Sequence, residues 1–330
     1  MIISRTPLRV SLFGGGSDLS VFYKNTPGIV LSTSIKKYIY ITVNEKFDDL
    51  IRVSYSTTEI VDSVDKIQHN IIREALKMVG IEKGIEVVYM GDVPLGSAGT
   101  GLGSSSALAV GVLNALYAYK GIHVDAEKLA RQACQIEIEI LKNPMGKQDQ
   151  YASAYGGLNT IQFNSDESVF IDPIIFNETI KKTLESKFMM FYTGVERLSS
   201  HILGAQESNI SSNQQNLQKV VDIAHKGISA LRNNKIDQIG ELLHENWEQK
   251  KQFASNVSNQ QLDDIYHAGR NAGAVGGKVL GAGGGGFFLF YCEPKYQPQV
   301  RKALCKLKET RFMYEGQGSK IIYVNNGDQY

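Results

Sequence analysis

Cysteine is scarce in this chain. Only three of its 330 residues are cysteine (Cys134, Cys292 and Cys305), an odd number with no CxxC pair. That excludes a disulfide framework and a thiolate metal site, and leaves reduced, buried thiols in a cytoplasmic protein as the expectation. Long apolar runs are missing too: nothing approaches the ~20 residues of a membrane-spanning helix. The start, Met1-Ile2-Ile3-Ser4-Arg5, is broken by Arg5 and Arg9 and does not read as a secretory signal. Neither sign of charge dominates. Lys and Arg number 35 against 34 Asp and Glu, a formal net charge of +1, which argues against a nucleic-acid binder. A small anionic ligand stays open, because a few local cations suffice for one. The six histidines show no metal-ligand spacing, and no repeat or low-complexity tract stands out.

What is present is ample core. Apolar residues make up 42% of the chain and charged residues 21%. At about 150 residues per domain, the length fits two domains. Strand-like and helix-like segments alternate in the first half. Arg9 to Leu12 reads as a strand running into Gly14-Gly15-Gly16, and Tyr38 to Val43 with Ile51 to Tyr55 reads as a hairpin. Apolar spacing predicts helices over Ile67 to Val79 and Ser104 to Tyr119, and a third from an Asp125 cap to about Leu141. Ile85 to Met90, Leu158 to Phe163, Phe188 to Tyr192, Phe287 to Tyr291 and Ile321 to Val324 read as strands. The region to about Ala272 is helix-rich, and Pro298 to Lys308 reads as a late helix. The expected class is α+β, with domains 1–170 and 171–330.

The strongest chemical signal is the loop Pro94-Leu95-Gly96-Ser97-Ala98-Gly99-Thr100-Gly101-Leu102-Gly103-Ser104-Ser105-Ser106-Ala107, between a strand and an apolar helix. Glycines let the backbone approach a ligand closely, and a helix start offers free N–H groups to a phosphate. It is not the GxxxxGK[ST] loop, because Leu102-Gly103 and no lysine precede Ser104. Nor is it a dinucleotide fingerprint, because a turn stands where the acid-ended second strand should be. A second signal is the acidic stretch Glu137-Ile138-Glu139 followed by Asn143-Pro144-Met145-Gly146-Lys147-Gln148-Asp149-Gln150. Residues two apart cannot share a helix face, so one of Glu137 and Glu139 points inward. With Asp149, it would flank a metal-bound phosphate.

Four segments in order resemble one family. They are Thr6-Pro7-Leu8-Arg9-Val10-Ser11-Leu12-Phe13-Gly14-Gly15-Gly16-Ser17-Asp18, the loop ending Gly101 to Ala107, Gly146-Lys147-Gln148-Asp149-Gln150, and Lys278-Val279-Leu280-Gly281-Ala282-Gly283-Gly284-Gly285-Gly286. They resemble the GHMP kinases, the galactokinase, homoserine kinase, mevalonate kinase and phosphomevalonate kinase superfamily. Within it the D-glycero-D-manno-heptose 7-phosphate kinase subgroup is most similar, through Arg5 to Arg9, Gly14 to Asp18, Gly146 to Ala152 and Tyr192 to Ser200. The galactokinase-type Gly-Glu-His-Thr-Asp is absent. Fucokinases carry a similar first motif and remain the alternative, and a non-catalytic sensor on the same fold is a more distant one. This chain departs from the family in an expanded Pro94 to Gly101 loop and in Ser106, where several relatives have alanine.

The resemblance implies a ribosomal protein S5-like first domain, a ferredoxin-like second domain and an active site between them. It implies an ATP- and Mg²⁺-dependent kinase acting on the anomeric oxygen of a heptose 7-phosphate, a small-molecule sugar phosphate, with no nucleic-acid or membrane partner and with a homodimer compatible. Gly99, Gly101, Leu102, Gly103, Ser104, Ser105 and Ser106 would cradle the ATP phosphates. Ser105 and Glu137 would ligate Mg²⁺. Asp149 would accept the proton of the attacking hydroxyl, and Arg9 would keep Asp149 ionised. Asp18, with Gly16 and Ser17, would meet sugar hydroxyls, and Gly283 and Gly284 would approach the nucleotide loop or the substrate. The acceptor's phosphate needs its own cations. Arg197 with Ser199 is the first candidate, followed by Lys147 and Lys278.

Overall fold

The computed structural model describes residues 1–94, 99–195 and 210–325, the side chains of 210–213 apart. Strands β1 (Ile2–Phe13) and β2 (Gly28–Glu45) form the spine of an eight-stranded sheet. In β2, Gly28 to Ile35 are buried on both faces, and beyond Lys36 the burial alternates. The doubly buried half pairs with β6 (Leu158–Phe163), and the alternating half pairs with β5 (Ile85–Gly91). Strand β3 (Ile51–Ser54) runs parallel to β5 and antiparallel to β4 (Thr58–Val61), while β7 (Val169–Pro173) extends β6 at the other side. So β5 separates β2 from β3, and the expected Tyr38 to Tyr55 hairpin does not form. Local alternation marks both strands but carries no information about a third that inserts between them.

Helix α1 (Ser20–Tyr23) is a single turn. Helix α2 (Asn70–Val79) buries Ile71, Ile72, Ala75, Leu76 and Val79 and ends at Gly80, whose φ of +71° suits a left-handed cap. Helix α3 (Ser104–Tyr119) is buried from Ser106 to Tyr117, because it packs between α2 and the sheet strands β1 and β2. Helix α4 (Ala126–Cys134) is capped by Asp125, which accepts from the Lys128 N–H at 2.7 Å, and passes into a π-helical turn at Gln135–Ile140. Helix α5 (Gln148–Tyr155) follows the Pro144 break.

The second sheet belongs to the second domain. Its strands are β8 (Phe188–Tyr192), β9 (Ala274–Val279), β10 (Phe287–Cys292) and β11 (Lys308–Thr310), all antiparallel, in the order β11-β8-β10-β9. Helix α6 (Glu178–Lys187) leads into β8. Helices α7 (Ile210–Arg232), α8 (Gln238–Lys250) and α9 (Gln260–Asn271) link β8 to β9, and α10 (Gln297–Ala303) links β10 to β11. This is the split β-α-β layout of a ferredoxin-like domain. Trp247 of α8 lies fully buried against Phe288, with ring centroids 5.9 Å apart.

The last strand, β12 (Lys320–Val324), returns to the first sheet and pairs with β1. A boundary at 170 would fall inside β7, and β12 lies in the first sheet rather than with residues 171–330. The late helix is also shorter than expected, because Lys308 opens β11. Among the described residues no helix is long and apolar enough to cross a membrane. The two domains meet where α7 covers β1 and β2; a Cβ on Gly227 would lie 2.6 Å from the Phe13 ring.

Candidate active site

Strand β1 delivers Arg9 into a cleft of about 340 Å³ between the two domains. Its guanidinium is 4% exposed and grips Asp149 with both arms: Nε donates to Oδ1 at 2.7 Å and Nη2 to Oδ2 at 2.6 Å. The third arm, Nη1, donates to the Gly101 carbonyl at 2.6 Å. A bidentate pair of this kind fixes the orientation of the carboxylate. Asp149 sits in the first turn of α5, set there by the Pro144 and Gly146 break.

The glycine loop enters the same cleft. Gly101 and Gly103 have φ of +80° and +74°, and a Cβ on Gly101 would lie 2.4 Å from the Leu280 carbonyl. Glycine is therefore required where the loop and the third motif touch. Gly99, Thr100, Gly101, Gly103, Ser104, Ser105 and Ser106 line the cleft at the N-terminus of α3. Leu102 does not: its side chain is fully buried, and its carbonyl accepts from the Arg9 N–H at 3.0 Å. Of the expanded Pro94 to Gly101 loop, Leu95 to Ala98 lie outside the described residues.

Glu137 lies in the π-helical turn, fully buried, while Glu139 points to solvent. Its Oε1 accepts from the Ser105 hydroxyl, and its Oε2 accepts from Gln150 Nε2 at 2.6 Å. Burial pushes its carboxyl above the usual carboxylate range; hydrogen bonds from Ser105, Ser106 and Gln150 oppose that, and the charge of Asp149 adds to it. A buried carboxyl beside hydroxyls at a helix N-terminus is an all-oxygen donor set. Among the described residues no group of three or more His, Cys, Asp or Glu could hold a metal alone. The donors fit Mg²⁺, which keeps waters and phosphate oxygens around one or two protein ligands.

Asp18 closes the far end. Its Oδ1 accepts from the Gly16 N–H and from Gln148 Nε2, both at 2.9 Å. Burial, and next the charge of Asp149, push its carboxyl up; the bonds from Gly16 and Gln148 pull it down. A Cβ on Gly146 would lie 2.0 Å from Asp18 Oδ2, so the Pro144 to Gly146 turn is closed tightly over this carboxylate.

Several expected residues are elsewhere. The Ser17 hydroxyl is consumed by backbone: it donates to Gly14 and Ile29 carbonyls and accepts from the Ile29 N–H, which pins the turn rather than meeting a ligand. Lys147 pairs with Glu167 and lies over the Tyr23 ring, outside the cleft. Gly283 and Gly284 pack on the Val257 carbonyl, and Gly281 with Ala282 reach the cleft in their place. Arg197 and Ser199 lie outside the described residues. Lys278 lines the cleft but is buried, donating to the Ser11 and Leu12 carbonyls at 3.1 and 3.0 Å. Burial, then Lys250 and Arg9, push its amine well below the ordinary lysine range.

The sequence reading missed Lys250, Gln148 and Gln150. Lys250 ends α8 and donates to the Gly281 carbonyl. Nothing local distinguishes it from Lys251, the half-buried lysine that follows it; only the fold carries it to the third motif. The glutamines flank Asp149 in the quoted segment, and their signal was adjacency to an acid at a helix start.

Known proteins align with these same segments. The GHMP kinases N terminal domain matches residues 66–157, and GHMP kinases C terminal matches residues 228–310, together more than half of the chain. A D-glycero-alpha-D-manno-heptose 7-phosphate kinase of Campylobacter jejuni subsp. jejuni serotype O:2 is 29% identical over 322 residues, covering 92% of this chain and 93% of that protein. A mevalonate kinase of Thermococcus sibiricus is 24% identical over 336 residues, covering 92% of each. A solved D-glycero-D-manno-heptose 1-phosphate kinase from Bacteroides thetaiotaomicron superposes with a TM-score of 0.82 at 25% identity, over 99% of this chain and 100% of that one. With both domain families matched in order, and with the motifs converging on one interdomain cleft, the chain belongs to the GHMP kinase family.

Proposed function

We propose that the protein is an ATP- and Mg²⁺-dependent sugar kinase that phosphorylates the anomeric hydroxyl of D-glycero-D-manno-heptose 7-phosphate. The product is the 1,7-bisphosphate, a precursor of nucleotide-activated heptose for surface polysaccharide. The observation that carries the kinase reading is the grip of Arg9 on Asp149 beside the N-terminus of α3. The acceptor reading is supported by the heptose 7-phosphate kinase relative that aligns over most of both chains.

The residues divide the work as phosphoryl transfer requires, by positioning and charge rather than by covalent chemistry. The α3 N-terminus and the backbone of Gly99 to Gly103 hold phosphate oxygens. Ser105 and Glu137 hold Mg²⁺, which neutralises charge on the phosphates. Asp149 orients the attacking hydroxyl and takes its proton as the O–P bond forms and ADP leaves. An anomeric hydroxyl is more acidic than an ordinary alcohol, which eases that transfer. Arg9 holds the Asp149 carboxylate in place and faces the transferred group. Asp18 accepts from sugar hydroxyls.

The test is ADP release by purified protein with Mg-ATP over a panel of sugars and sugar phosphates. Turnover confined to the heptose 7-phosphate is the expected result. Turnover only on an unphosphorylated sugar such as fucose replaces the acceptor and keeps the kinase. Silence on every acceptor rejects the reading.

A further inference from the structure

Two lysines reach the cleft from the second domain, and they differ. Lys278 is occupied by two β1 carbonyls. Lys250 is 7% exposed and donates to the carbonyls of Gly281 and, at 3.5 Å, Val279, both on the third motif. An ammonium carries three N–H groups, and the Lys250 side chain lines the cleft. Among the described residues no carboxylate forms an ion pair with it. Asp149 is already held by Arg9, and Asp18 by Gly16 and Gln148. A buried amine without a counter-ion is costly to keep charged. This one lies at the wall of a cleft lined by a helix N-terminus and a glycine loop.

We propose that Lys250 is a phosphate-binding residue: its remaining N–H donates to a phosphate oxygen of the bound ligand, which supplies the missing counter-ion. This rests on the reading of the cleft as a kinase site. The same side chain fastens the loop that positions the reacting groups. A Cβ on Gly281 would lie 2.5 Å from the Gly101 Cα, and the Gly101 carbonyl holds Arg9. Occupying Lys250 therefore tightens a path that ends at Asp149.

The charges around it make the binding measurable. Burial, and then Arg9 of β1, bring its pKa from 10.5 down to about 7, while Asp18 of the glycine turn and Asp149 of α5 pull the other way. Lys278 of β9 is a second buried amine near it, itself held well below the ordinary lysine range by burial and then by Lys250 and Arg9. At pH 8 the ligand-free amine is mostly neutral, and ligand phosphates are mostly dianionic. A phosphate placed beside it raises its pKa and draws in a proton.

The experiment is titration calorimetry at pH 8 in buffers of different ionisation enthalpy. The probes are inorganic phosphate, Mg²⁺ with a non-hydrolysable ATP analogue, and heptose 7-phosphate. Wild-type protein should take up about one proton with the ligand whose phosphate meets Lys250. Lys250→Met should abolish the uptake and weaken that ligand roughly thirtyfold or more. Lys250→Arg should restore affinity without the uptake, because a guanidinium stays charged. Uptake with the nucleotide analogue assigns its terminal phosphate, and uptake with the sugar phosphate assigns the acceptor's. No proton uptake with any probe overturns the proposal, and that wild-type reading stands even where Lys250→Met does not fold. A wild type that turns over no sugar phosphate removes the heptose reading but leaves the inorganic phosphate and nucleotide arms decisive for Lys250.

Discussion

Glu137 shows how a single residue trades stability for use. It is fully buried, with Ser105 and Gln150 donating to its oxygens. Its carboxyl is held above the usual carboxylate range, so the folded chain keeps a proton that the unfolded chain has released. In that window stability rises as pH falls, because the folded state binds more protons. Asp18 contributes with the same sign. Glu137→Gln removes one share of this cost. The amide can still accept from Gln150 and can donate to Ser105, which reverses one hydrogen bond without orphaning an atom. The ligand-free variant should therefore melt about 2 °C or more higher at pH 7, with a flatter pH dependence, while its Mg²⁺-dependent turnover collapses. A lower melting temperature would show that the carboxylate is well paid by its donors. Asp149→Asn makes the complementary test: it should lower kcat by about 10²–10⁴-fold with nucleotide binding intact, measured by steady-state kinetics and calorimetry. Unchanged turnover would remove Asp149 from proton transfer. Both acids were visible in the sequence, but an acid near a helix start is usually a cap or a solvated face, and it was the resemblance to the GHMP kinases that gave them roles. Lys250 was not picked out, because its role comes from the Gly281 carbonyl 31 residues further on.

Among the elements, α3 was the most legible, since a glycine-serine run ahead of an unbroken apolar stretch fixes both its start and its burial. The π-helical turn that aims Glu137 was not legible: an extra residue in one turn leaves the apolar spacing on either side unchanged. The β2–β5–β3 order was hidden for the same kind of reason, since strand partners are not written in strand sequence. The glycine loop offers an element-scale test with an internal control. Gly101 and Gly121 have φ of +80° and +70°, so alanine is strained at both. At Gly121 nothing lies within 4 Å of the added methyl, whereas at Gly101 it meets the Leu280 carbonyl at 2.4 Å. Gly121→Ala should cost about 1–2 kcal/mol of stability and leave kcat/KM unchanged. Gly101→Ala should cost more, and should also lower kcat/KM, because the Gly101 carbonyl that holds Arg9 must move. Equal stability losses in the two variants, by denaturant titration, would show that the loop yields without disturbing the third motif.

At the scale of the whole molecule, the cleft depends on a strand that supplies none of its lining residues. Strand β12 pairs with β1 from Ile2 to Arg5, and the Ser319 hydroxyl before it bonds Thr6 at 2.7 Å and accepts from Asn114 of α3 at 3.0 Å. It thus joins the strand that carries Arg9 to the helix whose start lines the cleft. The sequence marked β12 as a strand but assigned it to the second domain, as its position in the chain suggests. Removing it together with Ser319 would leave the edge of β1 unpaired and take the hydroxyl partner from buried Thr6. Unpaired buried polar groups cost about 1–3 kcal/mol each, and the lost strand adds to that. A chain ending at Gly318 should therefore melt well below the full-length protein, by calorimetry. It should also lose kcat before it loses nucleotide affinity, because β1 carries Arg9 whereas the proposed phosphate contacts lie on the glycine loop. If the truncated chain kept full kcat at a lowered melting temperature, β2, α3 and α5 would suffice to hold β1 and Arg9, and β12 would serve stability without reaching the chemistry.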